Sequence, residues 1–288
     1  MDFYKDIAQI AKDILDHYEV GYSDLTTDRG IVERWATLQL KLIRIVPRKV
    51  LKSNHVMQQV DVGIQQALNT IETKLTKGED INPYLSKGIF RAEYTDYLFS
   101  DWGIFHLHVS ESLDGKFFMA RSDSLLFMML AQDCAYFIDV RAHDEQFVFA
   151  QKALLDIVHT EWPHVIEPFR LKGITELSHE LDDPASIAKM RKAGVNVIHR
   201  IGSDFYAPMG GGITTARTSM EVTIQVDRFF QMAKSATEYV DQGNTQITQR
   251  IAEATGAPCI STDFHLELTE RGFFVLDRIS KCGFPIKT

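Results

Sequence analysis

His106 and His108 are separated by a single residue and alternate with Phe105, Leu107 and Val109. A period of two belongs to a β-strand, where alternate side chains point the same way about 6.5–7 Å apart. Both imidazoles can therefore reach one reacting group or one ion. Arg121, Asp139, Arg141 and His143 follow on neighbouring segments that also read as strands or strand ends. Three readings are open. The first is metal-free phosphodiester chemistry: one histidine takes a proton, a second histidine or an arginine assists the leaving group, and an arginine neutralises phosphate charge. Histidine suits this because its free pKa lies near working pH. His106, His108, Arg121 and His143 are then the catalytic candidates, with Arg141 and the basic pair Arg48 and Lys49 as substrate binders. The second is a transition-metal site on His106 and His108, completed by His143, Glu111 or Asp139. The third is a solvated polar strand face without chemistry. The first reading needs neither metal nor cofactor.

Those side chains depend on the elements that carry them. Ile104 to Ser110 alternates as a strand, and Asp114 with Gly115 is a hairpin signal before a second strand over 117–121. Residues 125–130 are continuously apolar and 136–141 are rich in aromatic and β-branched types, which predicts third and fourth strands. Short links between them imply an antiparallel meander with 125–130 as a central strand covered on both faces. Phe147, Ala150, Leu154, Ile157 and Val158 then predict a helix over 145–160 packed on that sheet.

Upstream, Phe3, Ile7, Ile10, Ile14 and Tyr18 recur at helical spacing, as do Ile31, Trp35, Leu38, Leu42 and Ile45 up to Pro47. Ser53 is placed to cap a third helix running through Val56, Val60, Ile64, Leu68, Ile71 and Leu75 to Gly78. The first 78 residues thus read as helical, and 79–100 as a connection. Downstream, Asp183 followed by Pro184 begins a short helix that Gly194 ends. A hairpin turns at Gly202, Ser203 and Asp204, and helices are expected near 218–241 and 244–255. Two final strands turn at Glu270, Arg271 and Gly272. The fold class is α+β: a helical N-terminal region, a central antiparallel sheet with a packed helix, and a second α+β half, divided as 1–172 and 173–288.

Gly210, Gly211 and Gly212 precede Thr214, Thr215 and Arg217 ahead of a helix. Backbone amides there can cradle an anion, but neither GK[ST] nor GxGxxG is present, and a flexible loop is the expectation. His159, His164, His179 and His199 have no spaced partners and read as structural or exposed. No GxSxG or HExxH occurs. Cys134, Cys259 and Cys282 lack zinc spacing or a paired histidine, and fit a reduced compartment.

The 288 residues are 45% hydrophobic and 24% charged, sufficient for a large folded core. No long apolar run suggests a membrane span, and the N-terminal pattern is amphipathic rather than that of a leader, so a cytoplasmic protein is expected. A formal charge of −8 disfavours nonspecific coating of nucleic acid, since phosphate binding runs on Lys and Arg.

The order helix, FHLHV, FFMAR, LLFMML, AYFIDVRAH, helix over residues 104–160 resembles the layout of RelE-type ribonuclease toxins. That resemblance implies a compact sheet exposing Arg and His side chains to RNA without a metal, with Arg121 as phosphate binder and His143 as acid or base. The expected function is an RNA-directed, metal-independent nuclease or toxin-like effector, with RNA, a protein partner or inhibitor, or further copies of itself as partners. The alternatives are a non-catalytic interaction or regulatory protein and a metal-dependent enzyme using the His-x-His pair.

Overall fold

The computed structural model describes residues 2–91, 95–115, 117–269 and 272–285. Asp2 accepts a hydrogen bond from the amide of Lys5 and starts α1 (Phe3–His17). That helix buries Phe3, Ile7, Ala8, Ala11 and Leu15. The small alanines take the centre of the buried stripe, displacing Ile10 and Ile14 to its flank. Helix α2 (Asp28–Lys41) stops short of Pro47 and leaves Ile45 exposed.

The segment expected to be wholly helical up to residue 78 contains a strand, β1 (Lys49–Lys52). Pro47 favours extended backbone in the residue before it, and a four-residue strand is too short to display a period of two. Ser53 continues the ladder: its amide donates to the Phe137 carbonyl and its hydroxyl to that of Ile138, at 3.0 and 2.6 Å. It also caps α3 (Asn54–Met57) by accepting from Val56. The single long helix expected from Ser53 is broken there. Asp61 caps a separate α4 (Val62–Lys77), and Gly78 ends it in the left-handed region. Val60, in the break, is 85% exposed.

After α5 (Tyr97–Trp102) comes β2 (Ile104–His108), and then a minor hairpin of β3 (Leu113–Asp114) and β4 (Phe118–Met119). Asp114 and Gly115 turn the chain as expected, with Leu113 opposite Met119. This hairpin forms its own two-stranded sheet, however, so Arg121 lies on a link and not on a strand of the main sheet. The main sheet contains β5 (Ser124–Leu130) and β6 (Cys134–Ala142) in the order β1-β6-β5-β2. Strands β6, β5 and β2 run antiparallel, and β1 adds a parallel edge. Leu125 to Met129 on β5 are all buried, as their unbroken apolar run implies.

Each face of this sheet has its own cover. Leu107, Leu126, Met128 and Phe137 pack with Leu68, Ile71 and Leu75 of α4 and with Ile81, Tyr84 and Leu85. On the other face Ile104, Leu125, Phe127, Met129 and Ile138 pack with Leu154, Leu155 and Val158 of α6 (Ala153–Glu161) and with Ile166 of α7 (Pro163–Ile166). The helix expected over 145–160 begins only at Ala153, because Phe147 takes a positive φ of 54° and a 3₁₀ turn occupies Val148–Ala150. Helix α8 (Pro184–Lys192) has its expected ends: Asp183 accepts from Ala185 and Ser186, and Gly194 has φ +73°. Its Ile187 joins the same core. The hairpin of β7 (His199–Ile201) and β8 (Asp204–Tyr206) turns at Gly202, φ +62°.

The C-terminal region holds one 36-residue helix, α9 (Met220–Thr255), where two were expected. Gly243 costs a helix interior only about 1 kcal/mol, and buried Val240, Ile247 and Ile251 carry the apolar stripe across it. Strands β9 (Phe264–Thr269) and β10 (Gly272–Asp277) pair antiparallel, and β11 (Gly283–Pro285) adds a third. Of the turn expected between β9 and β10, Glu270 and Arg271 lie outside the described residues. The chain divides into two compact units, Met1–Gln39 with Val222–Thr288, and Leu40–Glu221. The expected cut near residue 172 falls inside the second. In the first unit, β9 joins α1 through the Leu266 amide, which donates to the Asp6 carboxylate at 2.9 Å. Among the described residues no helix is long and apolar enough to cross a membrane.

Candidate active site

A β-bulge brings the predicted residues onto one face. Register between β5 and β6 shifts between Phe127 and Met128, so Phe127 faces Asp139 while Met128 faces Phe137. Without the extra residue, Asp139 and Arg141 would point to the opposite side from Tyr136. With it, one row reads His106, Phe127, Asp139 and the next reads His108, Leu125, Arg141. The third row, Ile104, Met129 and Tyr136, lies in the apolar core. The face thus grades from hydrocarbon at one end to histidine and charge at the other.

His143 follows the last residue of β6, its amide held by the Asp123 carbonyl at 2.7 Å. Its ring lies nearly parallel to that of His108, centroids 5.8 Å apart, and 6.3 Å from the Phe149 ring. Phe149 in turn lies 4.9 Å from His106 and 6.2 Å from Phe127. His106 and His108 are buried, whereas His143 and Arg121 are exposed. Nδ1 of His106 and of His108 has no hydrogen-bond partner. The Asp96 carboxylate is 3.5 Å from His106 Nδ1, too far for a good hydrogen bond.

These surroundings depress both buried histidines. Burial is the main cause for each. For His108 the neighbouring His106, His143 and Arg121 add to it, and its pKa falls to about 4. For His106 the Asp96 carboxylate opposes the fall and His143 adds to it. Both rings are therefore neutral near pH 7 and able to accept a proton. In the unfolded chain the same rings bind protons below about 6.5. For His108, between that pH and about 4 the unfolded state holds more protons, so stability is lost as pH falls through this window, and the lowered His106 acts in the same direction. His108 alone contributes up to about 3 kcal/mol of this loss. A urea-unfolding series from pH 7 to 4 is expected to show the decline, and His108→Gln to flatten it. An equal slope in the variant would place the acid sensitivity elsewhere.

Other predicted residues are differently engaged. Arg141 donates to Asp139 at 2.9 Å and to Glu145 at 2.8 Å, so two carboxylates already neutralise it. Arg48 is buried and donates to the carbonyls of Arg44, Val46 and Ala131, where it supports the chain entering β1. Lys49 is exposed opposite Cys134. Strand β1 is the edge farthest from β2 in the strand order, and Cys134 begins β6 whereas Arg141 lies near its end. Arg48 and Lys49 are thus not brought to the histidines. No group of three or more His, Cys, Asp or Glu among the described residues is arranged to hold a metal ion.

Sequence reasoning missed the buried polar cluster behind this face. Asp101 at the end of α5 accepts from Arg191 Nε at 2.8 Å and lies 3.2 Å from His199 Nε2, which the Trp102 indole approaches at 2.9 Å. The Arg191 guanidinium also sits 4.1 Å over the Trp102 ring. Its members come from α5, α8 and β7, so no local spacing could announce it. The glycine loop is likewise neither an anion cradle nor loose. Gly210 and Gly212 donate their amides to the carbonyls of Asp101 and Ser100 at 3.0 and 2.8 Å.

No protein-family model, no curated protein and no solved structure matches this chain. The likeness to RelE-type toxins therefore rests on the order of strands and charges alone, and the displacement of Arg121's segment from the main sheet reduces it to three antiparallel strands.

Proposed function

We propose that this chain is an RNA-directed, metal-independent nuclease that works from the polar end of the sheet. The supporting observation is the stacked His108 and His143 pair, one buried and neutral, the other exposed, beside the exposed Arg121 whose charge acts on His108. His108 accepts the proton of the attacking hydroxyl as its oxygen bonds to phosphorus, His143 gives a proton to the leaving oxygen as its bond to phosphorus breaks, and Arg121 offsets the charge gathering on phosphate. His106 lies behind Phe149 and serves the adjoining cleft rather than the reacting atoms.

The test is cleavage of a single-stranded RNA by purified chain in EDTA. Wild type is expected to cleave. His143→Ala and Arg121→Ala are expected to lose about 10²–10⁴-fold in rate, with unfolding temperatures unchanged because both side chains are exposed. Intact RNA with wild type, or unimpaired cleavage by both variants, would sink the assignment and favour a non-catalytic binding protein.

A further inference from the structure

Next to the histidines lies a cleft of about 320 Å³, within the second unit and bordered by Asp96, Tyr97, His106, Phe147, Phe149 and Arg191. Its size is at the lower end for small-ligand sites, roughly 300–1,000 Å³. Two walls are aromatic and open to solvent: Phe147 is 43% and Phe149 36% exposed. Phe147 holds a left-handed backbone, φ 54°, which non-glycine residues adopt at a cost and which gathers at ligand clamps.

The polar groups of the cleft are short of partners. Arg191 is 3% exposed, its Nε and Nη1 are used by Asp101 and the Phe149 carbonyl, and its Nη2 has no partner. His106, 7% exposed, has an unpartnered Nδ1 near the Asp96 carboxylate. A buried donor without an acceptor is costly, and a ligand supplying the missing atom would remove that cost. The Arg191 charge is matched by Asp101, and Asp96 adds a carboxylate to the lining. What fits is a flat, neutral ring whose edge carries both an acceptor and a donor.

We propose that this cleft takes an unpaired nucleobase, which stacks on Phe149 and Phe147, accepts from Arg191 Nη2 and presents an edge N–H to Asp96 and His106. This rests on the nuclease reading and extends it: the base enters the cleft while its phosphate stays outside, toward His108, His143 and Arg121. Base edges offer that alternation of donors and acceptors, and a base stacks on an aromatic side chain whatever its sequence context.

The experiment is titration of the full chain with each of the four ribonucleoside 5′-monophosphates, followed by calorimetry or saturation-transfer NMR, with ribose 5-phosphate as the base-free control. At least one nucleotide should bind and ribose 5-phosphate should not. Phe149→Ala should weaken binding roughly tenfold or more. Phe147→Gly should do the same while keeping or raising the unfolding temperature, since glycine takes positive φ freely. Equal binding of ribose 5-phosphate, binding of no nucleotide, or unchanged affinity in both phenylalanine variants overturns the proposal. Nucleotide binding without RNA cleavage would uphold the cleft and remove the nuclease, and cleavage without nucleotide binding would do the reverse.

Discussion

Asp101→Ala is expected to destabilise the Leu40–Glu221 unit by about 3–5 kcal/mol, the cost of leaving one member of a buried ion pair uncompensated. Asp101 and Arg191 are each 3% exposed, and His199 beside them 1%. Removing the carboxylate strands the Arg191 guanidinium between Trp102 and the Phe149 carbonyl, with one nitrogen already unpartnered. Burial lowers the Arg191 pKa and the Asp101 carboxylate opposes that fall, so the pair supports the charge it contains. The double variant Asp101→Leu/Arg191→Met removes both charges at similar volume and is expected to recover most of the loss. Chemical denaturation of the three chains measures this. A double variant no more stable than Asp101→Ala would mean that the cluster acts through shape and not through charge.

Gly210→Ala should be comparably severe, at roughly 4 kcal/mol or more, in the range reserved for a backbone that cannot accommodate its new atom. A Cβ at Gly210 would lie 1.8 Å from the Phe99 carbonyl oxygen and 2.6 Å from Ser100 backbone atoms. These are main-chain groups of α5 and cannot swing aside. The loop also satisfies carbonyls at the end of that helix, which have no partner within it. Gly211→Ala is the internal control. Its Cβ meets only Glu221 at 3.9 Å, so the cost reduces to its positive φ, about 1–2 kcal/mol. Thermal unfolding of the pair should rank them in that order. Equal losses would show that the loop's conformation matters more than its approach to α5.

Helix α5 links the buried cluster to the cleft. Its N-cap is Asp96, whose carboxylate accepts from the Phe99 amide and borders the cleft, and its last residues carry Asp101 and Trp102. Arg191 is held at the cleft from α8 by Asp101 and by the Phe149 carbonyl. A loss of cluster geometry should therefore weaken nucleotide binding along with stability, whereas Phe147→Gly separates the two.

By itself the sequence determined the elements whose signals are local. Asp183 with Pro184, Asp114 with Gly115, and the unbroken apolar run of β5 each have a short-range cause, and each appears where that cause puts it. The alternation of His106 and His108 with Phe105 and Leu107 likewise set both imidazoles on one face. Tertiary structure decided the rest. Strand β1 exists because β6 offers it a parallel partner far away in sequence, and four residues carry no period to announce it. Asp139 and Arg141 join the histidine face through a bulge that strand parity cannot foresee. Arg121 left the sheet with its hairpin, and Arg48 found carbonyls near β1. The Asp101, Arg191 and His199 cluster, and the cleft in front of it, join residues about ninety positions apart. Burial creates both the pairing and the unpartnered nitrogens there, and burial is a property of the folded chain as a whole.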